Sequence, residues 1–205
     1  YDYFNNTLGL AGIDNSNSPI YSWVNYKENF NNAFWNGTWL TFGEGDGEDY
    51  GPFTSPDIVA HEYMHGVTDY SNAKLAYYGE SGALNESFSD IFGEVIEHYI
   101  SGSNDWIFGA GVPLKTGKTG LRSLADPTSS LMTTQQPAAY QGPYWYNGYA
   151  DNSGVHINSG VQNYWFYLLA VGGNGINDNG FSYAITGIGK QKAAQIAYRN
   201  LTSYL

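Results

Sequence analysis

The sequence predicts an α+β protein, strand-rich near its N-terminal end and mainly helical thereafter. Two observations carry this. Large and polar residues alternate over Tyr21–Tyr26 and around Asn36-Gly37, the pattern and the turn of paired strands. From Asp57 onward apolar residues recur at helical spacing, as Leu84, Phe88, Ile91, Phe92, Val95 and Ile96 do. The expected division is residues 1–74, a β-rich part ending in a helix, and residues 75–205, mainly helical, with a cleft between them.

In chain order, residues 1–20 read as loop with one short amphipathic turn. Tyr21–Tyr26 reads as a strand, and residues 32–42 as a hairpin around Asn36-Gly37. A glycine-acid loop over 43–49 follows. Thr54-Ser55-Pro56-Asp57 is a helix start, with Pro in the first turn and an acid at the positive dipole end. That helix is expected to end near Tyr70–Asn72. A second runs from Ala83 to Tyr99 after Glu80-Ser81-Gly82. Residues 101–153 form a long irregular excursion, of the kind that usually serves a function or a metal. A buried helix spans Val161–Val171 and ends at Gly172–Gly175. A last amphipathic helix runs from about Lys190 to Tyr204.

Composition narrows the function. The chain has 205 residues, 42% of them hydrophobic, enough for a packed core. Nineteen acids against eight bases give a net charge of −11, which argues against nucleic acid or an anionic membrane as partner. No run of about 18 apolar residues occurs, so no membrane-spanning helix is expected. Without cysteine, any metal must be held by His and carboxylate. The chain opens on Tyr1 with no signal-peptide pattern, and a mature form or an excerpt is expected.

The chemistry centres on Asp57–Asp69. His61 and His65 stand four apart, on one face of a helix, with Glu62 beside the first. Both imidazoles can point at one zinc ion, although two ordinary helix histidines share the pattern. A catalytic zinc needs a third ligand and an open position. Glu86 is the best candidate, with Asp90 one turn on to accept a ring N–H from a liganding histidine. Glu97 lies roughly 16 Å beyond Glu86 along the same face. If the two helices pack antiparallel, Asp57, Glu97 and Asp105 converge at one end, where a hard cation such as calcium is expected. His156, preceded by Asp151, can stabilise an oxyanion or serve as a buried structural histidine. Arg122 can bind a substrate carbonyl or pair with Asp126 or Asp151. His98 reads as a surface helix residue.

These stretches, together with Asn31–Gly37, Glu80–Gly93, Leu121–Pro127, Asp151–Gly160 and Gly187–Gly189, resemble the thermolysin-like neutral metallopeptidase family, in the family's order. The resemblance implies a zincin fold and a secreted endopeptidase, mostly bacterial, that cleaves on the amino side of bulky apolar residues. It implies zinc on His61, His65 and Glu86, with Glu62 as general base and Asn85 and Asp90 bracing the ligands. Tyr77 and His156 would stabilise the tetrahedral oxyanion, with Asp151 orienting His156. Arg122 and Asn32 would hold the peptide, and the backbone of Ala33 would pair with it as an added strand. Tyr50, Phe53, Ile58 and Leu121 would line the pocket for the side chain after the scissile bond.

The departures from the family pattern are specific. One extra residue between His65 and Glu86 leaves Tyr78 as the alternative to Tyr77. Ile107, Ala110 and Thr119 stand where calcium-rich members carry acids, so one calcium is expected rather than two. The chain begins inside the family's N-terminal lobe and stops before its final helices, as an excerpt or a trimmed variant would. Expected partners are peptide or protein substrates and a removed propeptide, with the chain monomeric. Two rivals compete with the peptidase: a zinc- and calcium-holding structural module, and another zinc hydrolase such as an esterase.

Overall fold

The structure, a computed structural model, describes residues 1–103, 105–115 and 117–205. It opens with helix α1 (Asp2–Leu8), stopped by Gly9 in the left-handed region at φ 73°. The apolar side of α1 enters the core: Phe4 is buried and stacks on Tyr63, with ring centroids 4.9 Å apart.

Strands β1 (Tyr21–Trp23), β2 (Ala33–Trp35) and β3 (Trp39–Phe42) form one sheet in the order β1-β3-β2. β2 and β3 are the expected hairpin, antiparallel with Trp35 opposite Leu40. The Asn36 side chain accepts the amides of Thr38 and Trp39 at 3.0 and 2.8 Å, and Gly37 takes φ 90°. β1 is shorter than its alternation suggests. Asn25, Lys27 and Asn29 adopt φ near +55 to +58°, which breaks the extended run.

Helices α2 (Pro56–Tyr70) and α3 (Gly79–Ser101) are the centre of the molecule. Asp57 meets Gly93, His61 meets Asp90 and His65 meets Asn85, so the two run antiparallel. Their apolar faces interlock through Ile58, Met64 and Val67 on one side and Phe88, Ile91 and Phe92 on the other. The close approach depends on Gly93, where an added Cβ would lie 2.9 Å from the Asp57 carbonyl oxygen. α3 starts four residues before the expected Ala83. Gly82 does not break it, because the helix needs a bare backbone there: a Cβ would sit 2.5 Å from Val155.

Among the described residues, the 101–153 excursion carries one short antiparallel strand pair, β4 (Ile107–Phe108) with β5 (Arg122–Ser123). It leads into α4 (Ala150–Asn158), whose residues Asp151–Gly154 are left-handed before the chain turns helical. α5 (Gly160–Val171) follows, then a hairpin of β6 (Gly172–Ile176) and β7 (Ser182–Thr186). The glycines expected only to end α5 also open this hairpin: a Cβ on Gly172 would meet the Gly187 nitrogen at 2.6 Å. The described chain closes with α6 (Lys190–Arg199) and a wider π-helical turn over Asn200–Tyr204.

Candidate active site

α2 and α3 place their polar residues on facing turns. His61 and His65 lie one helical turn apart, and their Nε2 atoms are 3.0 Å apart. Each ring is held from its far side. His65 Nδ1 pairs with Asn85 Oδ1 at 2.7 Å, and Asn85 Nδ2 donates to the Leu75 carbonyl at 3.2 Å, which fixes the amide's orientation. His61 Nδ1 faces Asp90 Oδ1 at 3.0 Å. With each Nδ1 turned to an oxygen, both Nε2 atoms face one space, and protons on Nδ1 would leave two lone pairs pointing into it.

Glu86 completes that space. Its carboxylate lies 3.3 Å from His65 Nε2, 3.5 Å from His61 Nε2 and 3.3 Å from His156 Nε2. It is fully buried, and its Oε2 has no hydrogen-bond partner among the described residues. Donor atoms of His61, His65 and Glu86 all lie within 4.8 Å of one another. Two imidazole nitrogens and a carboxylate oxygen around an unsatisfied buried oxygen suit zinc. Burial pushes the Glu86 carboxyl up, but His156, His65 and His61 override it and hold Glu86 well below the usual carboxylate range.

Asp90 is braced as tightly. Arg122 donates to it twice, from Nε at 2.8 Å and from Nη2 at 2.6 Å, and Asn163 donates at 2.8 Å. Burial works against its charge, yet Arg122 and His61 hold it at about 2. Arg122 thus takes neither Asp126 nor Asp151 as its partner. Its guanidinium lies over the Phe108 ring, 4.4 Å from the centroid, and Phe108 stands 4.8 Å from the His61 ring.

Glu62 is buried beside the histidines. Burial raises its pKa; His61 and His65 pull it the other way. Strand β2 touches α2 nearby, where the Trp35 indole N–H donates to Asp69 at 2.7 Å. Glu62 Oε2 has no hydrogen-bond partner among the described residues. Across the space, the Tyr77 hydroxyl donates to Glu86 Oε1 and lies 3.2 Å from His156 Nε2. Asp151 holds His156 twice, ring Nδ1 at 2.6 Å and backbone N–H at 2.9 Å. Burial lowers the pKa of His156, but Glu86 and Asp151 win and raise it.

These groups open on a cleft of about 900 Å³. Asn32 and Ala33 line one wall; Phe53, Ile58, Phe108 and Leu121 form an apolar end, with Arg122 beside them. Tyr50 is not on the cleft surface; it sits behind Phe53, with centroids 5.7 Å apart. Tyr77 lines the cleft and Tyr78 does not.

At the far end of α3, a second acidic group gathers Glu94, Glu97 and Asp105. Asp57 is not one of the three. Its carboxylate caps the Ile58 amide at 2.8 Å and accepts the Gly109 amide, though its charge still bears on Glu97. Burial, then Asp57 and Asp105, push Glu97 up to about 7. Sequence reasoning missed Glu94, Phe108 and Asn163. Asn163 had a partial signal, because it and Gln162 are polar residues in the mainly apolar α5. Phe108 lies in a stretch without periodicity, which carried no signal.

Fold and site together define an α+β protein whose cleft holds His61, His65 and Glu86 in an arrangement that could bind a metal ion. Residues 1–69 match the family described as thermolysin metallopeptidase, catalytic domain, and residues 73–205 match thermolysin metallopeptidase, alpha-helical domain. The chain belongs to the thermolysin metallopeptidase family. It is 43% identical to bacillolysin of Bacillus caldolyticus and 43% identical to thermolysin of Alicyclobacillus acidocaldarius, in each case over all of this chain and 36% of the relative. The chain therefore spans about a third of the length of these relatives. A solved structure titled precursor of protealysin, a metalloproteinase from Serratia proteamaculans, superposes with a TM-score of 0.82 at 34% identity, over 99% of this chain and 62% of that one. No described helix is long and apolar enough to cross a membrane.

Proposed function

We propose that this protein is a zinc-dependent endopeptidase that cleaves on the amino side of bulky hydrophobic residues by adding a water to the peptide carbonyl. The observation that carries the reading is Glu62. It is a buried carboxylate with an unoccupied Oε2 beside a three-donor metal site, opposite two hydrogen-bond donors. A structural metal site has no use for that arrangement.

When bound by His61, His65 and Glu86, zinc supplies a Lewis acid that lowers the pKa of a water and polarises a carbonyl. Glu62, its own pKa raised by burial, takes the water's proton and passes it to the leaving amine. Tyr77 and His156 donate to the carbonyl oxygen as it becomes negative, and Asp151 keeps His156 oriented and cationic. Asn32 and the backbone of Ala33 on β2 hold the peptide as an added strand, with Arg122 contacting it from the other side. Phe53, Ile58 and Leu121, backed by Tyr50, receive the apolar side chain after the scissile bond. Residues 1–74 and 75–205 act as the two walls of the cleft.

The same reading gives the acidic end of α3 one calcium, held by Glu97 and Asp105 and supported by Asp57. It places the protein outside a bacterial cell as a monomer. The precursor title of the Serratia structure supports a removed propeptide. The test is hydrolysis of an internally quenched peptide with Phe or Leu after the scissile bond, with and without a zinc chelator. Turnover that the chelator abolishes and added zinc restores is expected; chelator-resistant turnover overturns the reading.

A further inference from the structure

Asp151 holds His156 by its ring Nδ1 and its backbone N–H; a second side chain holds it from the other side, by its carbonyl. We propose that this side chain, Gln136, is a positioning residue for the reaction, which sets where His156 Nε2 meets the developing oxyanion. The proposal rests on the oxyanion role of His156 in the peptidase reading and deepens it.

The first observation is a buried amide that stability does not explain. Gln136 is fully buried. Its Nε2 donates to the His156 carbonyl and to the Ser159 hydroxyl, each at 2.8 Å. Its Oε1 has no hydrogen-bond partner among the described residues. The amide cannot turn over to satisfy that oxygen, because Oε1 would then face the His156 carbonyl oxygen, acceptor against acceptor. A buried polar atom left unpaired destabilises a fold, and an apolar side chain of similar length, such as Met, would avoid it. What the amide provides is its hold on His156.

The second observation is the backbone that carries His156. Asp151, Asn152, Ser153 and Gly154 take left-handed φ values of 54°, 48°, 65° and 81°. Such a run persists only where its surroundings fix it. Asp151 belongs to this run and is exposed, so it is a poor anchor by itself. The His156 carbonyl lies in the last turn of α4, where backbone oxygens lack a partner within the helix. Gln136 supplies one, and Ser159 Oγ, at 3.3 Å, a second. α5 then begins at Gly160, where an added Cβ would lie 2.4 Å from Gln136 Cβ. A bare backbone at that point is what lets Gln136 in.

The third is what stands behind Gln136. Its backbone N–H donates to the Pro127 carbonyl at 2.7 Å, and the Thr134 N–H donates to the Leu121 carbonyl at 3.0 Å. The segment is thereby tied to β5, whose Arg122 is bound to Asp90, which faces His61. Gln136 therefore fixes His156 to the same frame that holds His61.

The test is steady-state hydrolysis of the quenched peptide by the zinc-loaded full chain. Gln136→Met keeps much of the length and removes the donor; Gln136→Leu is the second variant if the first folds poorly. Either should keep its zinc and melt close to the wild type. In either, kcat should fall roughly tenfold with KM within about twofold, against about a hundredfold in kcat for His156→Ala, which loses the donor outright. Affinity for a phosphonamidate peptide, whose tetrahedral oxygen mimics the oxyanion, should fall with kcat, while inhibition by a product peptide stays at the wild-type value. In a His156→Ala background, Gln136→Met should change nothing further, because it acts only through His156. Wild-type kcat in a folded Gln136 variant, whatever its KM, overturns the proposal. So does a further fall in the double variant, or loss of zinc and fold in both single variants, since the residue is then structural. Wild-type turnover in His156→Ala removes the oxyanion reading and this proposal with it. Absence of chelator-sensitive turnover in the wild type removes the peptidase reading, and with it this proposal.

Discussion

Replacing Asp90 by Asn tests how the metal site is braced. The substitution keeps the volume and one carbonyl oxygen but removes the charge. In the wild type that charge holds Arg122 through bonds of 2.8 and 2.6 Å, and faces His61 Nδ1 at 3.0 Å. Asp90 is fully buried and Arg122 nearly so, so the variant leaves a guanidinium without its counter-ion in the core. Breaking one side of such a pair costs about 3–5 kcal/mol. Linkage gives a similar scale. The carboxyl stands at about 2 when folded against 3.8 in an unstructured chain, which corresponds to about 2 kcal/mol. Because the folded pKa is depressed, that stability is present above pH ~4 and is lost as pH falls towards ~2. Urea unfolding in the presence of chelator should therefore show a loss of about 3 kcal/mol in Asp90→Asn at pH 7, with a smaller further loss on acidification than the wild type. Zinc affinity, read by competition with a coloured chelator, should fall roughly 10–100-fold. The double variant Asp90→Asn/Arg122→Met should recover part of the stability, because the stranded charge is gone, but none of the zinc affinity. A single-variant loss below about 1 kcal/mol, or wild-type zinc affinity in that variant, would refute the reasoning.

Glu62→Gln should retain zinc and lose at least about a hundredfold in turnover of the quenched peptide; near-normal proteolysis with full zinc content would exclude Glu62 as the base. Gly93→Ala should destabilise the fold by about 1–3 kcal/mol in thermal unfolding, because the new methyl meets the Asp57 carbonyl at 2.9 Å and must push α2 from α3; an unchanged melting temperature would contradict the close approach. Glu97, at about 7, binds a proton in the folded state that the unfolded chain releases near 4.5, so its contribution to calcium-free stability falls as pH rises from ~4.5 to ~7. Calcium needs the ionised form, so the gain in melting temperature on adding calcium should be larger at pH 8 than at pH 5.5; equal gains would count against calcium on Glu97.

The parts of this protein legible in its sequence are those whose geometry is local. A helix places residues four apart on one face, whatever surrounds it, so His61 and His65 were readable as a pair, and Glu86 and Asp90 as another. Pro56 and the Asn36-Gly37 turn marked their elements because backbone sterics act within a few residues. The parts that only tertiary structure decided depend on which surfaces meet. Arg122 had acids nearby in sequence but pairs with Asp90, 32 residues away, because β5 is paired with β4, which packs on α3. Glu94 joins the acidic group, and Asp57 beside it also accepts the amides of Ile58 and Gly109. The β4–β5 pair and the β6–β7 hairpin carry too little alternation to be seen, since their glycines are selected for close approach rather than for strand propensity. A pair of turns on one helix can nominate a metal site; the antiparallel contact at Gly93 is what brings Glu86 within reach of both histidines.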